Sequence, residues 1–365
     1  MRILPFLISA IITGALVYCF NTRFGPAPAF GKFLSPQHGF WQNAEPSLVN
    51  FNEQLSFKQL NGNASVYLDE RLIPHITADN DADAYFIQGY LHAKFRLWQM
   101  EFSTMAAEGR VSEIVGDKAI NFDREQRRIG MRYAAENMLK EMEANEFTKL
   151  AADQYTAGVN AYIENLSESD LPIEYKLLGY KPEKWANIKI ALFIKQMTKT
   201  LAYSADDLAN TALKNVFTDE QMQMLFPETQ DSLSPIIPPG TIFEKPVFEP
   251  VAPANADSLY LQKRDSSLKM AFLDQPSRDN GSNNWAVSGS KTKSGAPILC
   301  NDPHLDLTLP AIWYEIQMTT NTMNAYGVSF PGIPGVVIGF NDSIAFGFTN
   351  AGRDVRDFYE IQFKD

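Results

Sequence analysis

Asn280-Gly281-Ser282-Asn283-Asn284-Trp285 runs directly into the strand-like Ala286-Val287-Ser288-Gly289. A glycine–serine bond at the entrance to a strand has a chemical use. While the bond is intact, Ser282 carries an ordinary hydroxyl. Once it breaks, Ser282 also carries a free α-amine, with an unperturbed pKa of roughly 7.7–8.0. Hydroxyl and amine on one residue supply a nucleophile and its base together. Gly281 lacks a Cβ and tolerates backbone conformations that other residues avoid. The same tripeptide also reads as a plain turn between a linker and a strand.

The spacing downstream favours the first reading. A polar turn, Lys291-Thr292-Lys293-Ser294-Gly295, leads into Ala296-Pro297-Ile298-Leu299-Cys300 and then Asn301-Asp302-Pro303-His304-Leu305. Two strands joined by a Gly-containing turn bring the end of the second beside the start of the first. His304 is therefore expected near Ser282.

Composition limits the alternatives. The 365 residues are 45% hydrophobic and 21% charged, which suits a large globular core. The net charge is −11, the opposite of the basic footprint a nucleic-acid partner requires. Cys19 and Cys300 offer no disulfide framework, and no Cys/His spacing suits a metal. Cys300 has apolar neighbours and reads as a buried structural thiol. No Gly-x-Ser-x-Gly elbow is present.

Residues 1–20 are a targeting segment: Arg2, then an almost wholly apolar run to Phe20. Its length fits a short membrane span and is long for a signal peptide, so an uncleaved anchor and a cleaved signal both stand. Either exports the remainder, to the periplasm or to a membrane-anchored site facing it. Residues 21–63 read as an irregular arm. From 64 to 226 the pattern is mostly helical, after two strands around Asp69-Glu70-Arg71-Leu72. Asp79 to Asp83 supplies caps and first-turn charge. Ala84, Ile87, Leu91, Phe95, Trp98 and Phe102 then recur at helical spacing and predict one apolar face. Residues 123–167 read as two further helices, and 171–185 as a loop. A helix from Ile188 to Val216 is expected to break near Ala202-Tyr203-Ser204. Residues 227–281 are Pro-rich, then polar, as in a linker or an excised spacer. Residues 282–365 read as short strands with turns, including a hairpin over 312–328.

The blocks Gly281-Ser282-Asn283-Asn284-Trp285 and Asn301-Asp302-Pro303-His304-Leu305 resemble the penicillin acylase family of N-terminal-nucleophile hydrolases. Ile73-Pro74-His75-Ile76, Gln88-Gly89-Tyr90-Leu91-His92-Ala93, Arg96-Leu97-Trp98-Gln99-Met100-Glu101 and Glu108-Gly109-Arg110-Val111-Ser112-Glu113 look like the family's N-terminal signature. The resemblance implies an α+β fold, the four-layer αββα sandwich, with a mostly helical first subunit. It implies an amidohydrolase precursor acting on a small N-acyl amide, of penicillin, cephalosporin or acyl-homoserine-lactone type, and cut at Gly281–Ser282. A non-catalytic remnant or binding protein on the same scaffold is the alternative.

By position, the resemblance makes Ser282 the nucleophile and its amine the base. His304 is the adjacent positioning residue, and the Asn350 N–H is an oxyanion donor. It puts Met197, Leu201, Leu305, Ile338 and Phe348 on acyl-pocket positions, although inward-facing core residues would look the same. It implies one Ca2+ held by Asp207, Asp354, the carbonyl of Arg356, and Asp357, which are hard oxygen donors of the kind calcium takes. It gives His75 and His92 packing roles. It also implies a partner segment, the rest of the second subunit, carrying a further oxyanion asparagine and an arginine.

Overall fold

The computed structural model describes residues 3–24, 29–43, 51–202, 211–227, 240–242 and 281–350. Packing divides the chain into two compact units, one of residues 1–200 with 279–350, the other of 201–278 with 351–365. The strands after Gly281 thus share a unit with the helices before it. In the second unit, a short helix Asp219–Leu225 starts with a capping box between Thr218 and Gln221.

The first unit opens with α1 (Ile3–Asn21), a 19-residue apolar helix with no buried residue and a mean hydropathy of 2.2. The one-turn helix α2 (Phe30–Phe33) follows. Strands β1 (Ala64–Leu68) and β2 (Pro74–Ala78) pair antiparallel around the turn at Asp69, as the turn residues predict. The Asp69 carboxylate accepts the N–H groups of Arg71 and Ile73 and closes that turn. Helix α3 (Asp81–Glu108) starts where Asn80 accepts the Asp83 N–H and stops at Gly109, at φ 72°. The Asp83 carboxylate in turn accepts the Asn61 and Gly62 N–H groups and ties the segment before β1 to the helix.

The expected single apolar face of α3 holds only for its first half. Ala84, Ile87 and Leu91 are buried, but Phe95, Trp98 and Phe102 are only partly so. The helix leaves helical geometry at Arg96 (φ −141°, ψ 15°), and beyond it Leu97, Met100, Thr104 and Met105 face inward. The Arg96 guanidinium lies 5.5 Å from the Tyr314 ring centre.

One-turn helix α4 (Ser112–Val115) is followed by α5 (Ile120–Ile129), α6 (Met131–Ala144) and α7 (Glu146–Glu164). The 123–167 region is therefore three helices, not two. Gly130, at φ 77°, ends α5, and Asn145 starts α7 by accepting the Phe147 and Thr148 N–H groups. The expected loop at 171–185 also holds a short helix, α8 (Ile173–Leu178), ended by Gly179 at φ 75°. Its Tyr175 hydroxyl reaches the buried Glu101 carboxylate at 2.5 Å, which also accepts the Glu183 N–H at 2.6 Å. Helix α9 (Asn187–Ala202) reaches the region of the expected break; residues 203–210 lie outside the described ones.

After Gly281 come β3 (Gly281–Val287), β4 (Ile298–His304), β5 (Tyr314–Thr319), β6 (Asn324–Ser329), β7 (Ile338–Asn341) and β8 (Ala345–Phe346). β3 and β4 form a two-stranded antiparallel sheet. The others join β1 and β2 in a six-stranded sheet ordered β1-β2-β5-β6-β7-β8. Its one parallel contact, β2 with β5, pairs His75, Ile76 and Thr77 with Gln317, Met318 and Thr319. Along β5, Tyr314, Ile316 and Met318 are buried and alternate with partly exposed residues. They pack with Ile76, Ala84, Phe86 and Leu91 in the core between sheet and helices, each such burial contributing roughly 1.5–3 kcal/mol. The described residues of the first unit thus form a helical layer on a six-stranded sheet, with the two-stranded sheet beside it: a mixed α+β fold.

A buried chain of hydrogen bonds crosses that interface through His92. The Ser329 hydroxyl donates to the Tyr314 carbonyl (2.8 Å), so it must accept from His92 Nε2–H (3.0 Å). His92 Nδ1 then accepts from the Tyr155 hydroxyl (2.8 Å), whose oxygen accepts the Gly332 N–H (2.8 Å). Every donor and acceptor is used, as expected of the packed structural histidine predicted from the sequence. Burial, and secondarily the nearby Arg96, push the His92 pKa down to about 3. An unfolded histidine titrates near 6.5. Between those values the unfolded chain binds the extra proton, so stability falls as pH falls, by about 1.4 kcal/mol per unit. Above the upper value His92 contributes no pH dependence. His92→Gln should therefore be less stable at neutral pH but lose stability less steeply on acidification. Denaturation midpoints of the two proteins across this range test it, and parallel curves would contradict it.

Candidate active site

Strand alternation and the hairpin register build the site. Gly281 opposes His304, Ser282 opposes Pro303, Asn283 opposes Asp302, and Asn284 opposes Asn301. The spacing argument therefore held: the end of β4 lies beside the start of β3. The turn between them is a 3-10 segment at Gly289–Lys291 followed by Gly295, at φ 77°. Opposed residues share a face and neighbours along a strand do not. Ser282, Asn284 and Asn301 belong to one face; Gly281, Asn283, Asp302 and His304 belong to the other.

The half-buried Ser282 donates its hydroxyl to the Gly281 carbonyl oxygen, within the bond singled out for cleavage. His304 is exposed, and its Nε2 donates to Asp302 Oδ2 at 2.9 Å. Asn283 Nδ2 lies 3.5 Å from the same Nε2. The Asn283 amide can only donate, which requires an unprotonated Nε2, whereas the shorter contact to the Asp302 carboxylate requires a protonated one, and the shorter contact decides. In neutral His304 this leaves Nδ1 as the unprotonated nitrogen. A Cβ placed on Gly281 would lie 3.5 Å from it, so the basic nitrogen faces the glycine rather than the serine hydroxyl.

Asn301 makes contacts that sequence reading did not assign. Its Nδ2 donates to the Asn283 carbonyl (3.1 Å) and to the Phe348 carbonyl (3.0 Å). Its Oδ1 accepts the Phe348 N–H (3.3 Å). These bonds bring the segment ending at Asn350 to the hairpin. A surface cavity of about 410 Å³ is lined by Asn283, Asn284, Trp285, Cys300, Asn301 and Asp302.

The remaining candidates are spread more widely. Leu305 is half-buried directly after β4, and the Phe348 ring lies tilted against that of Phe346, with ring centres 5.9 Å apart. Ile338 is half-buried in β7 opposite Val328, and Met197 is buried on α9. Both belong to the sheet-and-helix body rather than to the hairpin. Leu201 falls in the other compact unit. Asn350 is half-buried at the end of the described segment. Asp207, Asp354, Arg356 and Asp357 lie outside the described residues. Among the described residues no cluster of three or more His, Cys, Asp or Glu side chains is arranged to hold a metal.

A serine at the head of a strand, hydrogen-bonded to the carbonyl before it, with an Asp–His pair on the opposite face beside the preceding glycine, agrees with a sequence match over residues 63–365 to the family model described as Penicillin amidase. The chain belongs to the penicillin amidase family. Relatives within reach of the match include an acyl-homoserine lactone acylase QuiP from Pseudomonas aeruginosa, 30% identical over 94% of this chain. The penicillin acylase 2 proenzyme of Pseudomonas sp. strain SE83 is 31% identical over 88% of it. The penicillin G acylase of Escherichia coli is 26% identical over 83%. The chain spans about 40% of the length of these curated relatives. A solved chain of the thermostable penicillin G acylase from Alcaligenes faecalis overlays with a TM-score of 0.41 at 22% identity, covering 51% of this chain and 100% of that one.

Proposed function

We propose that this chain carries the nucleophile of an N-acyl amide hydrolase that is activated by cleavage of its Gly281–Ser282 bond. The observation that supports the reading is the Ser282 hydroxyl held on the Gly281 carbonyl at the head of β3. The nucleophile already touches the group it must attack. Ser282 Oγ adds to the Gly281 carbonyl carbon, the C–N bond breaks, and an ester joins the two residues. The Ser282 nitrogen leaves as a free amine. Water then hydrolyses the ester, leaving a carboxylate on Gly281 and restoring the hydroxyl.

In turnover, the Ser282 amine takes the hydroxyl proton as Oγ attacks the substrate amide. The proton then passes to the departing amine, and water releases the acyl group. Donors aimed at the oxyanion are worth roughly 100–1000-fold in rate each. The Asn350 N–H is the one proposed from this chain, and His304 is proposed to position the freed amine. The proposed substrates are amides of apolar acyl groups, matching the apolar Met197, Leu305, Ile338 and Phe348. The relatives' names, acyl-homoserine lactone acylase and penicillin acylase, support this class.

The four-layer sandwich, export through α1, and a calcium ion on Asp207, Asp354, Arg356 and Asp357 are further parts of the same proposal. Metal analysis of the purified full-length gene product checks the presence of the ion.

A panel of N-acyl amides that includes acyl-homoserine lactones and penicillins, assayed against pH, tests the reading. The protonated amine cannot act as base. The value of kcat/KM should therefore rise about tenfold per unit below the amine pKa, near 7.7–8.0, and level off above it. A flat profile from about pH 6 to about pH 9 would rule out that base.

A further inference from the structure

We propose that Asn301 is a positioning residue, whose side-chain amide stitches the segment from Gly347 to Asn350 onto the nucleophile strand. This rests on the reading of Ser282 as nucleophile. Asn301 shares a hairpin face with Ser282, since it opposes Asn284 while Ser282 opposes Pro303. β8 ends at Phe346, two residues before Phe348. Backbone N–H and C=O groups leaving a sheet still require partners. For Phe348 a single side chain supplies both: Asn301 Oδ1 accepts its N–H at 3.3 Å and Nδ2 donates to its carbonyl at 3.0 Å. The amide thus imitates a neighbouring strand. The same Nδ2 holds the carbonyl of Asn283, the residue after the nucleophile, at 3.1 Å. One planar group therefore fixes the backbone at 348 relative to the backbone at 283.

Gly347 is the other half of the device. A Cβ there would lie 2.8 Å from Asn301 Oδ1 and 2.9 Å from both its Cβ and Cγ. A larger residue would push the amide away, which gives the glycine directly after β8 a definite purpose.

The test compares the full-length gene product with Asn301→Ala, Gly347→Ala and the double variant. Each single change should lower kcat for an acyl amide by about 10- to 100-fold, through misplacement of the backbone beside the nucleophile. KM should stay within about threefold. In the double variant Oδ1 and Cγ no longer obstruct the alanine and only the 2.9 Å approach to the Cβ at 301 remains, so its loss should be smaller than the two single losses combined. Additive losses would contradict the device, since two unrelated structural defects add. Amide hydrogen exchange over residues 344–350 gives a readout independent of activity. The Phe348 amide should lose protection in Asn301→Ala. If the wild type is active and Asn301→Ala matches it in both kcat and exchange, the stitch fails while the nucleophile reading stands. If the wild type hydrolyses no amide, the nucleophile reading fails and the kinetic claim for Asn301 falls with it.

Discussion

Changing Ser282 to alanine is expected to leave the Gly281–Ser282 bond intact and to lower amide hydrolysis by about 10⁴-fold or more. Both losses follow from one atom. The hydroxyl oxygen is the group that opens the peptide bond and the group that attacks substrate, so its removal stops maturation and turnover together. Ser282→Cys separates the steps. A thiol is also a competent nucleophile, so cleavage should survive, and the freed amine should remain available. Fold disruption is a poor rival explanation, because Ser282 is only half-buried and its one described side-chain bond is to its own neighbour's carbonyl. Cleavage is read from the masses of the two products, and hydrolysis from release of the free amine. Normal turnover by the alanine variant would overturn the assignment of Ser282.

The second large effect is on stability. Helices α3 and α7 cross at two glycines. A Cβ on Gly158 would fall well inside the contact distance of the Phe86 carbonyl oxygen and 2.9 Å from the Tyr90 nitrogen. A Cβ on Gly89 would meet the Tyr155 backbone in the same way, 2.9 Å from its carbonyl carbon and 3.1 Å from its Cα. All of these obstacles are backbone atoms, so no rotamer change relieves them. Alanine would raise helix propensity by up to about 1 kcal/mol, while overpacking typically costs about 1–3 kcal/mol and sometimes more. Here the steric term should win, since the helices themselves must separate. They carry His92 and Tyr155, so separation also stretches a buried hydrogen bond. Gly158→Ala should lose about 2 kcal/mol net, a fall in Tm of roughly 4–8 °C for a unit of this size. Thermal unfolding measures it. An unchanged or raised Tm would mean that propensity dominates and that the glycines do not set the crossing.

Local signals were readable in advance where they were short in range. The β3–β4 hairpin followed from a polar, Gly-containing turn between two apolar runs, and the cap at Asn80 from the acidic cluster beside it. The hairpin over 312–328 was likewise visible as two alternating runs. Where reading failed, a residue carried two messages. Asn145 is a polar residue amid helix-forming neighbours, yet its side chain starts α7, and Gly130 lies in the same run, yet its positive φ ends α5; the reading of 123–167 as two helices assigned neither a boundary. The kink at Arg96 moves the buried face of α3, and no periodicity in the sequence announces it.

The tertiary pairings were less accessible still. β2 and β5 lie more than 200 residues apart and meet in parallel, a contact that composition cannot specify. Asn301 belonged to a recognised block but had no assigned role, because its partners at Phe348 are 47 residues away. The clue that was available was Gly347: a glycine amid the apolar residues 344–348 marks a close approach.

The central claim is that a backbone amide at Ser282 becomes the base of the reaction. N-terminal sequencing of the active, full-length gene product tests it most directly. The account predicts a new chain beginning Ser-Asn-Asn-Trp, from Ser282 to Trp285. Fully active material in which Gly281 is still joined to Ser282 would contradict it.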